Sequence, residues 1–180
     1  MSFDPNHGAR FCPEATVSEM YGTFEIRELA ERDLAGAAAF YLSLDEIRRV
    51  WRFHTPLDDT AILRYINGLK VGPVAVVGAA DRINALMIGI AEFHPASGGE
   101  LPEVTVSVAP GPRALLVATQ LLSRIMGCAA MRGADGVAID LCHEDTFMIT
   151  LLRQFGARID LMQGRAMLSW SEKAAMGRAA

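Results

Sequence analysis

Apolar and polar positions change period several times along this chain, and each change marks an element. Phe24-Glu25-Ile26-Arg27-Glu28-Leu29 alternates apolar and charged residues, as a half-buried strand does. Leu34, Ala37, Ala38 and Tyr41 then fall on one face of a helix. Ser43-Leu44-Asp45-Glu46 reads as a cap before a short Arg-rich turn, Ile47 to Arg52. A further helix is predicted from near Pro56 through Ile62, Tyr65 and Ile66, because proline is tolerated in a first turn. Pro73 to Ala80 and Ala85 to Phe93 are apolar runs joined by the turn Asp81-Arg82-Ile83-Asn84, which predicts an antiparallel pair. His94 to Gly99 is a loop. Glu103 to Val108 alternates strictly and predicts a strand that Pro110 and Pro112 end. Arg113 to Arg132 predicts a long helix with Leu116, Leu121, Leu122, Ile125 and Met126 on its apolar stripe. The last third predicts a strand at Gly136 to Leu141, a helix at Glu144 to Phe155 stopped by Gly156, and strands at Arg158 to Met162 and Met167 to Trp170 around Gly164. This order predicts an α/β (α+β) domain over 23–170, with helices on a mixed, mostly antiparallel sheet of about seven strands. Residues 1–22 read as an N-terminal arm and 171–180 as a tail.

Composition narrows the function classes. A chain of 180 residues, 51% hydrophobic, can bury a core of its own, and a formal net charge of −4 is too small for disorder over most of its length. The lack of a basic surplus excludes a general nucleic-acid binder. Acidic residues and two prolines stand in the first 14 positions, where a signal peptide needs a basic start and an apolar run. Apolar stretches such as Gly72 to Ala80 and Ala85 to Ala91 fall short of the roughly 20 residues that span a bilayer. Cys12, Cys128 and Cys142 are odd in number and lack CxxC spacing, which argues against a disulfide framework or structural zinc. A reduced, cytoplasmic protein is expected.

Candidate chemistry lies in three segments. Val108-Ala109-Pro110-Gly111-Pro112-Arg113-Ala114-Leu115-Leu116-Val117-Ala118 joins a strand to a helix start. Free N–H groups and the dipole at such an end suit a phosphate. This segment resembles the pyrophosphate-binding turn of the GNAT superfamily of acyl-CoA-dependent N-acyltransferases, whose pattern is Gln/Arg-x-x-Gly-x-Gly/Ala. Arg113 and Ala118 fit the first and last positions. Leu116 stands where the middle glycine belongs, and Ala114 where another is frequent, so the loop is a degenerate one. Leu141 to Ala157 resembles the strand, Asn-x-x-Met/Ala and helix segment of the same superfamily, with Asp145 in place of the Asn and Met148 at the Met position. Asp accepts a hydrogen bond but donates none unless protonated. Leu152 occupies the position of the family's Tyr acid. Leu42 to His54 resembles the Leu-Ser…Arg-Phe-Phe segment of GNAT domains that acetylate protein lysines. In that branch a Glu in the pattern Ala-Glu-Phe-x-Val is the general base, and Pro102-Glu103-Val104-Thr105-Val106 falls in register with it.

The resemblance covers residues 24 to 170 and implies a GNAT-like fold. It implies acetyl-CoA as acyl donor, held by Val106 and Val108 on the strand, by Arg113, Ala114, Leu115, Leu116, Val117 and Ala118 at the turn, and by Asp145 and Met148. It also implies Glu103 as catalytic base and a primary amine of a small molecule or protein lysine as acceptor, while the residue spacing leads to the expectation of no metal. The alternative is an inactive GNAT-like domain that binds acyl-CoA or another ligand, or mediates protein contacts. No nucleic acid or membrane is expected as partner, and a homodimer in which the arm 1–22 or the edge of the last hairpin completes a neighbour is a further expectation.

Each residue also has a plainer reading. Glu103 fits a solvated strand start, and Asp145 a helix N-terminus favoured by the dipole. Cys142 and His143 are strand neighbours on opposite faces, so Cys142 reads as buried and inert. His143, Glu144 and Asp145 lack a second cluster that would make a metal site. Arg48, Arg49 and Arg52 fit a solvated face paired with Asp45 or Glu46, or recognition of an acidic acceptor or a CoA phosphate. Trp51, Phe53 and Tyr65 fit core or groove walls, and His54 is an acceptor-site candidate.

Overall fold

The computed structural model describes residues 24–69, 74–96 and 100–170. The arm at 1–22, the tail at 171–180, the start of the run at Pro73 and the end of the loop at Gly99 lie outside the described residues.

Strand β1 (Phe24–Glu28) leads through a 3₁₀ turn at Glu31–Asp33 into α1 (Leu34–Ser43). Arg27 fixes that turn by two hydrogen bonds of 2.8 Å to the Asp33 carboxylate. The segment expected to be an Arg-rich turn is a helix, α2 (Glu46–Phe53), because Asp45 caps it by accepting the Arg48 N–H at 2.9 Å. It ends at His54, which takes a left-handed conformation, φ 54°. The helix expected from near Pro56 starts later, as α3 (Asp59–Gly68), where the Asp58 side chain accepts the Ala61 N–H at 2.7 Å.

β2 (Ala75–Asp81), β3 (Met87–His94) and β4 (Glu103–Val108) form the antiparallel centre, followed by α4 (Ala114–Met131), β5 (Gly136–Asp140), α5 (Thr146–Gln154), β6 (Arg158–Asp160) and β7 (Arg165–Ser169). The sheet has seven strands in the order β1-β2-β3-β4-β5-β7-β6, antiparallel throughout except between β4 and β5. The closing hairpin differs from expectation at its turn. Asp160 Oδ1 accepts the N–H groups of Met162 and Gln163 at 3.0 and 3.1 Å, so β6 stops at Asp160 and the apolar Leu161 and Met162 stand exposed in the turn.

Alternation along the strands feeds two cores. Val77, Ala91, Phe93, Val104 and Val137 face α4 and α5, while Val76 and Ile90 face α1 and α3. By length and composition α4 could cross a bilayer, although the sequence's apolar runs look too short. Its apolar side, Val117, Leu121, Leu122 and Ile125, is buried in the first core.

Gly136 opens β5 where a Cβ would sit 2.6 Å from the Leu168 carbonyl oxygen, a backbone atom that side-chain rotation cannot move. Gly136→Ala is expected to lower unfolding free energy by about 2 kcal/mol, read as a shift of the urea midpoint at constant slope.

Candidate active site

The parallel pair β4–β5 holds together at one end only. Among the described residues their single registered pair is Glu103 with Ala138, whose N–H donates to the Pro102 carbonyl at 2.8 Å. Beyond it the strands part. On its other edge β4 pairs with β3 along its whole length. Ala109 N–H bonds to the Ile88 carbonyl at 2.8 Å. By the alternation of an antiparallel ladder, Glu103, Thr105 and Ser107 therefore turn their backbone groups to β3. Val106 and Val108 turn theirs to the opposite edge, where β5 has moved away.

The parting opens a cleft with a cavity of about 30 Å³, room for a water or a group of similar size. Thr105, Val106 and Asp140 line it from the strands, Cys142 and Asp145 from the following loop, and Trp51, Arg52 and His54 from α2. Thr105 is 8% exposed, and its Oγ1 has no hydrogen-bond partner among the described residues. A buried hydroxyl left unpaired is costly, so this one is open to a hydrogen bond with a water or a ligand group.

Behind the cleft lies a buried charge. Glu92 on β3 is fully buried. Its Oε1 accepts Tyr41 OH at 2.6 Å. Its Oε2 accepts an Arg52 Nη at 2.8 Å and Tyr65 OH, with His94 Nε2 at 2.9 Å. Arg52 stacks over Phe53 at 4.7 Å from the ring centre and lies near the rings of Tyr41 and Tyr65. Burial alone would push the Glu92 carboxyl up. Arg52 and the hydrogen bonds from His94, Tyr41 and Tyr65 outweigh it and hold the group at about 2. Saturated in this way, Glu92 is an anchor for α1, α2 and α3 on the sheet rather than a proton acceptor.

The residues named from the sequence divide into three places. Glu103 is half-buried at the hinge of the parting, opposite His94 in register and on the same face as Thr105. Val106, Asp145 and Met148 come together at the cleft. Arg113 to Ala118 stand at the start of α4. There Arg113 donates to Asp81 Oδ2 at 2.7 Å, tying the turn to the end of β2. The helical ladder begins with Val117 N–H to the Arg113 carbonyl at 3.0 Å, and Ala114 N–H bonds to Gly111 at 3.1 Å. The N–H groups of Leu115 and Leu116 therefore precede the ladder. Leu115 is exposed and Leu116 half-buried, whereas the side chains of Val117 and Ala118 are buried in the core.

Asp145 is the N-cap of α5, accepting the Met148 N–H at 2.9 Å, and burial pushes its carboxyl up. Asp145→Ala is expected to cost about 1 kcal/mol of stability and Asp145→Asn only a few tenths, measured by urea unfolding. Of the three α2 arginines only Arg48 pairs with Asp45. Arg49 reaches Asp59 at 2.7 Å and the Leu42 carbonyl at 2.7 Å, and Arg52 is buried on Glu92. His143 is exposed beside Glu144. Among the described residues no three His, Cys, Asp or Glu side chains gather as metal ligands would.

Sequence reasoning did not find Glu92 or Thr105. Glu92 carried no local signal, because it stands in an apolar run and its partners Tyr41, Arg52 and Tyr65 are distant along the chain. Thr105 carried none, because polar residues on an alternating strand ordinarily face water.

No known protein-family model matches the sequence, and no curated protein does. Solved structures do match. The GNAT domain of PAT from S. lividans superposes with a TM-score of 0.66 at 19% identity, covering 80% of this chain and 89% of that one. The ribosomal-protein-alanine N-acetyltransferase of Brucella melitensis gives 0.62 at 18% identity, covering 81% and 99%. Salmonella typhimurium yncA, solved with its cofactor acetyl-CoA, gives 0.61 at 16% identity, covering 83% and 95%. At these identities the likeness establishes the fold, a GNAT-like fold.

Proposed function

We propose that this GNAT-like domain transfers an acetyl or other short acyl group from acyl-CoA to a primary amine, on a small molecule or a protein lysine. The observation that carries this reading is the parting of β4 from β5, with the backbone of Val106 and Val108 turned to the gap and Thr105, whose hydroxyl is unpaired, among the residues lining the cleft. Those groups suit the amides of a pantetheine arm and the carbonyl of a thioester, which need hydrogen-bond partners in a narrow, water-poor slot. The acyl donor fits the residues present. Val106 and Val108 would flank the arm, Asp145 and Met148 its inner end, and the N–H groups of Leu115 and Leu116 the pyrophosphate. Acyl-CoA supplies the activated carbonyl. A backbone N–H on β4 polarises it, and Glu103, at the hinge on the face that α2 covers, takes the proton of the attacking amine.

Calorimetric titration tests the reading. Acetyl-CoA is expected to bind with micromolar affinity. Leu116→Gly, which removes a side chain beside the pyrophosphate, is expected to bind roughly fivefold tighter, equivalent to about 1 kcal/mol. Absence of binding up to millimolar acetyl-CoA in both proteins would overturn it.

A further inference from the structure

A second hollow lies on the α3 side of the sheet and shares no lining residue with the cleft. Ala61, Tyr65 and Leu69 form its α3 wall, and Leu57 and Val74 close it on either side. Its volume is about 620 Å³, within the range of small-molecule sites. All five of these side chains are only half-buried, so the apolar surface lacks full cover among the described residues. Gly68 keeps the groove open, since a Cβ added there would meet nothing within 4 Å.

Two ionisable side chains with a basic centre reach this groove, Arg64 and His94, and no acidic side chain lines it among the described residues. His94 is already committed, because its Nε2 donates to Glu92 at 2.9 Å. Tyr65 OH donates to the same carboxylate and accepts from an Arg52 Nη at 2.8 Å. Arg52 balances the Glu92 charge, so the cluster behind the groove carries no net charge. Arg64 is different. It is exposed and makes no hydrogen bond or ion pair among the described residues. An apolar hollow with one unpaired cation at its rim complements an anion with an apolar body.

We propose that this groove binds a monocarboxylic acid, its carboxylate paired with the Arg64 guanidinium and its alkyl or aryl body laid along α3 against Leu57, Tyr65 and Val74. The planar fork of a guanidinium matches the two oxygens of a carboxylate. One positive charge balances one carboxylate, whereas a phosphate monoester would bring nearly twice the charge and leave part of it unbalanced. An amine of the same shape would meet Arg64 as a like charge. Burial of the body against half-covered apolar walls supplies most of the affinity, and Arg64 selects the head. The site is separate from the cleft and does not depend on acyl transfer.

NMR titration of the full chain tests the assignment, with octanoate, butyrate and octylamine as probes. Octanoate is expected to shift the Ala61, Tyr65 and Gly68 amides saturably, with a dissociation constant of about 1 mM or below. Butyrate, with a shorter body, should bind at least about tenfold more weakly. Octylamine, with the same body and the opposite charge, should also bind at least about tenfold more weakly. Arg64→Gln removes the charge from an exposed side chain and should weaken octanoate about fivefold with the urea midpoint unchanged. Gly68→Leu puts a side chain into the open groove and should weaken octanoate at least about tenfold. No saturable shift up to about 10 mM octanoate would overturn the proposal. So would octylamine or butyrate binding as tightly as octanoate, unchanged octanoate affinity in Arg64→Gln or in a folded Gly68→Leu, or shifts confined to Thr105, Val106 and Asp145 at the cleft. If Gly68→Leu does not fold, Arg64→Gln decides alone. Acetyl-CoA enters none of these readouts, so a failure of the transferase reading leaves them unaffected.

Discussion

Replacing Arg52 with methionine is expected to cost about 3–5 kcal/mol of unfolding free energy, because it strands the Glu92 carboxylate inside the protein. The methionine fills much of the arginine's volume, so the loss reports the charge and not a cavity. Tyr41, Tyr65 and His94 would still donate to Glu92. None of them carries the fixed charge that Arg52 supplies at 2.8 Å. The double variant Arg52→Met, Glu92→Leu is expected to recover a large part of the loss, since removing both charges leaves nothing unpaired. Acid acts on the same group. Its folded value of about 2 lies below the ordinary 4.5. The resulting stabilisation, about 3 kcal/mol, is fully present above the ordinary value and disappears as pH falls through about 2. Urea unfolding of wild type between pH 6 and 2 should therefore decline more steeply than that of the double variant. An Arg52→Met protein within 1 kcal/mol of wild type would show that Glu92 is not held as a buried anion.

The second large effect concerns turnover. Glu103→Gln is expected to lower kcat/KM for the amine by about 100- to 1,000-fold, the range of a lost general base. The amide keeps the shape and the hydrogen-bonding reach of the side chain, so acetyl-CoA affinity and the urea midpoint should stay where they are. Glu92 gives the contrast. Its variants act through stability and move both quantities together. A Glu103→Gln enzyme with full activity would leave β4 as the donor-binding strand and place the base elsewhere.

Much of the architecture was legible because local pattern and tertiary demand agree. Strict alternation at Glu103–Val108 gave strand β4 to the residue, and the long apolar stripe after Arg113 gave α4 to within a residue at each end. Where side chains act on nearby backbone, the period misleads. Asp45 and Asp160 decide where α2 starts and β6 stops by accepting N–H groups two or three residues on, and neither changes the hydrophobic pattern. The resemblance supplied site candidates at Glu103, Arg113 and Asp145, and of these the structure sets Asp145 at the cleft. The buried anion was not legible. Glu92 closes an apolar run, and its partners Tyr41, Arg52 and Tyr65 sit 27 to 51 residues away on three helices. No local window holds that cluster together.

Amide hydrogen exchange along β4, followed by NMR with and without acetyl-CoA, measures the central claim most directly. The account predicts that the Val106 and Val108 amides, turned to the gap, slow at least tenfold on adding acetyl-CoA. It also predicts little change at Thr105 and Ser107, whose amides already bond to β3. Unchanged exchange at Val106 and Val108 under saturating acetyl-CoA would contradict it, because the parted strands would then not be where the donor lies.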